Sequence, residues 1–129
     1  MGQDFRRGFD VGLAAASEAR RWLVDALALR GRDAEDVALL VSELVSNSVQ
    51  HAGLQAGQQV SVRASRTDAV LRVEVSDEGG RFGKASASPD RRDGGRGLVL
   101  VSALSDDWGV HPDDTTRLWF TYTTRDAAA

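Results

Sequence analysis

The feature that most constrains the fold of this chain is a helical repeat of apolar and small side chains between residues 33 and 52. These side chains recur at spacings of three and four, which is the period of an amphipathic α-helix. The repeat consists of Val37, Leu40, Val41, Leu44, Val45, Ser48 and Ala52. At about 100° per residue, Glu43, Asn47 and Gln50 fall away from this apolar face. The helix is therefore expected to bury one side in a core and to present a polar pair outside it.

A second helical repeat precedes this one. Residues 14–29 are rich in Ala and Leu at helical spacing, and Gly31 predicts where that helix ends. Asp33, with Asp36 three positions later, predicts the N-cap and first turn of the longer helix. Both helices are thus predicted ahead of any strand.

Alternation of apolar and polar residues follows the two helices. The predicted strands are residues 60–64, 70–75, 108–110 and 117–122. The first two predict an antiparallel hairpin with one buried face, turning at Thr67 and Asp68. Between the strand pairs, the apolar run 98–104 fits a strand or a helix by periodicity alone, and its start directly after Gly97 favours a buried helix.

Helices followed by strands predict an α+β fold. The expected architecture is a two-layer α/β sandwich, in which helices cover one face of a mixed, mainly antiparallel sheet. A chain of 129 residues suits a single domain with one core, and Trp22, Trp108 and Trp119 are expected in that core.

Composition excludes several classes of protein. The chain has no cysteine, so it has no disulfide, thiolate metal site or cysteine nucleophile. Its net charge is −3 with both signs mixed along the chain, which argues against direct binding of nucleic acid or of a membrane surface. The polar residues 1–10 have no apolar core of signal-peptide length, so a cytoplasmic location is predicted.

Three segments carry residues suited to chemistry. The first is Glu43 with Asn47, an acid and an amide about 40° apart on one side of a helix. Asn offers a carbonyl oxygen to a metal such as Mg²⁺, and Glu can accept a proton. The second is residues 75–80, where Asp77 and two glycines end a strand. The third is residues 94–98, where glycines open a helix whose N–H groups could meet phosphates.

Together and in this order, these segments resemble the GHKL superfamily of ATP-binding domains. The likeness is greatest to the small bacterial anti-sigma-factor serine/threonine kinases and their stand-alone relatives. Its most specific parts are residues 40–47 and 95–98, and it extends from about Phe9 to Tyr122. The resemblance implies a Bergerat-type ATP-binding fold, with ATP or ADP and Mg²⁺ as ligands.

The resemblance also implies a role for individual residues. Glu43 matches the general base and Asn47 the Mg²⁺ ligand. Asp77 matches the acid that accepts a hydrogen bond from the adenine amino group, which discriminates against guanine. The remaining matches are to nucleotide-binding positions. They are Gly79 and Gly80 beside the base, and Gly95, Arg96, Gly97 and Leu98 at the phosphates.

The implied partners are a sigma factor, an antagonist of the anti-sigma factor, and a second copy of the chain in a homodimer. Three departures from the family pattern leave catalysis open. Arg81 replaces the last glycine of the first glycine box, Thr115 and Thr116 stand where relatives carry Gly-Lys, and residues 82–93 are short for a lid over ATP. The chain could therefore be a kinase, or a non-catalytic nucleotide-binding module that acts by docking onto a partner.

Each segment also has a structural alternative. A Glu and Asn pair on a helix is often solvated surface, and Asp77 before Gly79 could form only a turn. Residues 94–97 could be an ordinary flexible linker. A detached histidine-kinase catalytic domain is disfavoured, because no dimerisation helices with a phosphoacceptor His precede the Asn47 helix.

Overall fold

A computed structural model describes residues 2–51, 57–77, 95–111 and 114–125. Its elements, in chain order, are β1 (Gly2–Asp10), α1 (Ala15–Ala26), α2 (Gly31–His51), β2 (Gln59–Thr67), β3 (Val70–Asp77), α3 (Gly95–Leu104), β4 (Asp107–His111) and β5 (Asp114–Thr123). All three predicted helices and all four predicted strands are present. One further strand, β1, was not predicted.

The strands form one five-stranded sheet in the order β1-β2-β3-β5-β4. All four pairings are antiparallel, where a mixed and mainly antiparallel sheet was predicted. In the β2–β3 hairpin, Thr67 pairs with Val70, so Asp68 and Ala69 form the turn rather than Thr67 and Asp68. Asp68 takes a left-handed φ of 57°, a conformation that Asp tolerates better than most residues.

Strand β1 was missed because its sequence lacks an alternating apolar pattern. It lies at the edge of the sheet and pairs along its whole length with β2. Of its residues only Phe9 is fully buried, and Phe5 is half-buried. A strand at the edge of a sheet can carry charged side chains on both faces, because one of its two long edges is open to solvent. Its sequence then lacks the alternation of apolar and polar residues from which strands are predicted.

The helices cover one face of the sheet, which confirms the predicted two-layer α+β architecture. Alternate residues of β2, β3 and β5 point into the core with the apolar faces of α1 and α2. The largest fully buried side chains are Phe120, Leu23, Leu27, Leu40, Leu44, Leu71, Val37, Val41, Val45, Val60, Val62 and Val73. Trp22 and Trp108 pack against this core. Trp119 does not, because it alternates with buried Phe120 and so lies on the opposite face of the sheet.

The predicted end of α1 at Gly31 is wrong. Helix α1 ends at Ala26, and the left-handed residue after it is Ala28, with φ of 52°. The Leu29 N–H donates to the Val24 carbonyl and the Ala28 N–H to the Asp25 carbonyl, which is the bonding pattern of a Schellman motif. Gly31 therefore does not end α1; it begins α2.

Asp33 and Asp36 do not act as the predicted cap. Both lie within the first turns of α2 and are buried, with 2% and 7% of their surface exposed. The Tyr122 hydroxyl lies 2.8 Å from Asp36 Oδ2 and 3.0 Å from Asp33 Oδ1. The backbone N–H of Arg125 also donates to both oxygens of Asp33. These bonds join the start of α2 to the end of β5.

Candidate functional site

The candidate site is built on α2, which places Glu43 and Asn47 one turn apart on the same side of the helix. Both side chains are half-buried, whereas Gln50 farther along is exposed. Within the part of the chain that the structure describes, neither Glu43 nor Asn47 has a hydrogen-bond or ion-pair partner.

Packing holds the backbone beneath this pair in place. Val41, Leu44 and Val45 are fully buried in the core on the other side of the helix. Ser42, next to Glu43, accepts a hydrogen bond of 3.3 Å from Arg20 Nη1 on α1. Because α2 is anchored on its apolar side and to α1, the polar pair projects from a rigid element, as a site that positions a ligand requires.

The second predicted segment ends a strand as expected. Asp77 is the last residue of β3 and pairs with Val60 of β2. Helix α2 packs directly against β3. The strand that carries Asp77 and the helix that carries Asn47 are thus neighbours in the fold.

The third predicted segment opens a helix as expected. Helix α3 begins at Gly95, so Gly95, Arg96, Gly97 and Leu98 form its first turn. Buried Val101 anchors α3 in the core, and α3 packs against α2. The free N–H groups of a helix's first turn, with the helix dipole, favour an anion such as a phosphate.

Several predicted positions fall outside the described residues. Gly79, Gly80, Arg81 and the lid segment 82–93 belong to this group. Thr115 and Thr116, where relatives carry Gly-Lys, lie in β5. The geometry around the adenine base and the lid therefore stays a prediction.

The candidate site offers one metal ligand predicted from the sequence, Asn47. Among the described residues, no group of three or more His, Cys, Asp or Glu side chains could hold a metal ion. Asn47 offers one neutral oxygen ligand, and Mg²⁺ commonly takes one or two protein ligands together with substrate phosphates. Phosphates at the start of α3 would complete such a set. Glu43, one turn from Asn47, could then accept a proton from a nucleophile.

An α+β sandwich with an Asn-bearing helix, a strand ending in Asp and a helix opened by glycines is the arrangement that the sequence predicts for an ATP-binding domain. Comparison with protein families agrees: residues 10–122 match the histidine kinase-like ATPase domain. The chain belongs to this family. The predicted superfamily is thereby confirmed, while the closer kinship with anti-sigma-factor kinases stays a prediction.

No curated protein matches the chain. In the ranges that the structure describes, the chain contains no helix with the length and apolar character needed to cross a membrane.

Proposed function

We propose that this ATPase-type domain is a regulatory protein kinase that transfers the γ-phosphoryl group of ATP to a serine or threonine of a small antagonist protein. In its other partner state it would sequester a sigma factor. The observation that supports the proposal most directly is the pair Glu43 and Asn47, half-buried, rigidly mounted and without a partner among the described residues. The family match supports the nucleotide, and the sequence resemblance supports the acceptor and the sigma factor.

In the proposed reaction each residue has one task. Asn47 would hold Mg²⁺ through its side-chain oxygen and so orient the phosphates, which the first-turn amides of α3 would bind. Glu43 accepts the proton of the attacking hydroxyl as that oxygen bonds to the γ-phosphorus and ADP departs. Mg²⁺ supplies neutralisation of phosphate charge. Positioning and electrostatics suffice for phosphoryl transfer, so no covalent intermediate on the protein is needed.

The test combines calorimetry with a transfer assay on three variants. Glu43→Gln should bind Mg-ATP normally and transfer phosphate about 10² to 10⁴ times more slowly, since it keeps the shape of the base and loses its basicity. Asn47→Ala should lose magnesium-dependent binding. Gln50→Ala is the matched control, because Gln50 is exposed on the same side of α2 and is assigned no role.

The acceptor in the transfer assay is each antagonist-like protein encoded beside this chain, incubated with labelled ATP. Undiminished transfer by Glu43→Gln would overturn the assignment of the base. Failure of the natural protein to bind Mg-ATP at all would exclude the kinase. Binding without transfer to any acceptor would favour the alternative, a non-catalytic module that docks onto a partner. The sigma-factor role is tested by titrating neighbouring sigma factors with and without ATP.

A further inference from the structure

Ser48 is a polar residue on the buried side of α2. At about 100° per residue it lies between Val41 and Leu44 around the helix, and both of these are fully buried in the core. Ser48 itself is only 5% exposed. In the ranges that the structure describes, its hydroxyl has no hydrogen-bond partner, neither a side chain nor a backbone carbonyl of its own helix.

The other buried polar side chains that the structure describes all form hydrogen bonds. They are Asp33, Asp36, Ser42, Ser61 and Thr124. A buried hydroxyl that forms no bond destabilises a fold, because it loses its bonds to water and gains none in return. Ser48 is therefore expected to bond to a group that comes from outside the fold.

The anchors of α2 determine which part of the sheet Ser48 faces. Near the start of α2, Asp36 Oδ2 lies 2.8 Å from the Tyr122 hydroxyl, and Tyr122 pairs with Leu71 near the start of β3. Helix α2 packs against β3, so from this anchor it runs along β3 toward Asp77. The rise along the helix from Asp36 to Ser48 is about 18 Å, and the length of β3 from Leu71 to Asp77 is about 20 Å. Ser48 therefore faces the sheet at the level of Asp77.

We propose that Ser48 is a further residue of the nucleotide site and that its hydroxyl binds the base. The inference rests on the proposed function and on the predicted role of Asp77, which accepts a hydrogen bond from the adenine amino group. Adenine also has ring nitrogens that accept hydrogen bonds, and a serine hydroxyl can donate to one of them. An acceptor at the end of β3 and a donor on the facing helix thus match the donor and the acceptor of one base.

Ser48 and its neighbour Asn47 serve different parts of the nucleotide. About 100° separates the two side chains around α2. Asn47 lies on the side of Glu43 and is assigned to Mg²⁺ and the phosphates, whereas Ser48 faces the sheet. A substitution at Ser48 should therefore weaken the binding of a ligand that has a base and leave the binding of phosphates alone unchanged.

Calorimetry with two ligands separates these parts of the site. Mg-ATP has both the base and the phosphates, and magnesium tripolyphosphate has the phosphates without the base. Ser48→Ala should bind Mg-ATP roughly threefold to tenfold more weakly than the natural chain, as expected for the loss of one hydrogen bond. It should bind magnesium tripolyphosphate as the natural chain does. Asn47→Ala should weaken the binding of both ligands.

Thermal unfolding without ligand gives a second readout, which does not depend on nucleotide binding. Ser46→Ala is the matched control, because Ser46 is half-buried on the same helix, about 160° around it from Ser48. Both variants gain the same helix propensity. Only Ser48→Ala also removes a buried hydroxyl without a partner, so it should unfold about 2 to 6 °C above Ser46→Ala. Ser46→Ala should leave the affinity for Mg-ATP unchanged.

The possible results distinguish this inference from the proposed function. A lower unfolding temperature for Ser48→Ala than for Ser46→Ala would show that the hydroxyl has a partner within the protein, and would overturn the inference. Equal affinity of Ser48→Ala and the natural chain for Mg-ATP would also overturn it, while the proposed function would stand. Failure of the natural chain to bind Mg-ATP would overturn both.

Discussion

Tyr122 should contribute more to the free energy of unfolding through its hydroxyl than any exposed polar group of the chain. The side chain is 3% exposed, and its hydroxyl lies within hydrogen-bonding distance of both Asp33 and Asp36. Tyr122→Phe keeps the ring and its packing and removes only this donor. The variant therefore isolates the hydroxyl's bonds to two buried carboxyl groups.

The expected loss in the free energy of unfolding follows from the number of hydrogen bonds that the hydroxyl donates and from the partners that it leaves behind. The hydroxyl has one proton, so it donates one full bond, and a bond to a charged group stabilises by about 1.5 to 3 kcal/mol. Asp33 keeps the Arg125 N–H as a donor after the substitution. Asp36 loses its Tyr122 donor while staying buried, and this desolvation places the loss toward the upper end, about 2 to 3 kcal/mol.

Urea unfolding at neutral pH, followed by circular dichroism, measures this loss, and a double-mutant cycle assigns it. Asp36→Ala removes the acceptor and serves as the second arm of the cycle. Because Tyr122 and Asp36 are in contact, their coupling free energy should be about 1 kcal/mol or more. A loss below about 0.5 kcal/mol, or losses that simply add, would show that the bonds in this cluster do not stabilise the fold.

Three further outcomes follow from single contacts. Burial, with hydrogen bonds to Asp36 and Asp33, raises the pKa of Tyr122 well above its ordinary value of 10.0. The stability that the neutral hydroxyl provides is complete below pH 10 and is lost as the pH rises above 10. The stability of the natural chain should therefore fall more steeply with alkaline pH than that of Tyr122→Phe. Gly109→Ala should cost about 1 to 3 kcal/mol, because the new Cβ would lie 3.0 Å from the Trp119 ring, over which the Arg72 guanidinium lies. A neutral effect in thermal unfolding would show that the ring moves aside. Ala28→Gly should stabilise by about 0.5 to 1 kcal/mol, since Ala28 has a left-handed φ at the end of α1, and an unchanged urea midpoint would contradict this.

The sequence was sufficient to predict the helices and strands that bury an apolar face. It was insufficient to predict which polar groups form buried hydrogen bonds with each other. Helix α2 and the β2–β3 hairpin follow from periodicity alone, because a regular apolar pattern has few ways to be buried. Asp33 and Asp36 were predicted as capping residues because Asp favours a helix start. Their actual partner, Tyr122, lies 86 residues or more away in sequence, so no local rule could find it.

In the candidate site, too, local sequence predicts some features and not others. The Glu43–Asn47 pair and the helix start at Gly95 follow from local sequence, and the structure places both on helices that pack together. The orientation of α2 relative to β3 could not be derived, because it depends on the core as a whole. Trp119 shows the limit: its residue type predicts burial, but its place in the alternation of β5 assigns it to the opposite face.

One side of α2 connects the stability of the fold to the candidate site. At about 100° per residue, Asp36, Glu43 and Asn47 lie within about 40° of one another, although Asn47 is about 16 Å farther along the axis. Asp36, at the start of this side, is 7% exposed and bonded to Tyr122, as buried polar groups normally are. Glu43 and Asn47 have no such partner among the described residues. If a ligand binds Glu43 and Asn47, the two ends of this polar stripe serve different purposes. Tyr122→Phe should then lower stability and leave Mg-ATP affinity unchanged, whereas Asn47→Ala should lower Mg-ATP affinity and leave stability unchanged.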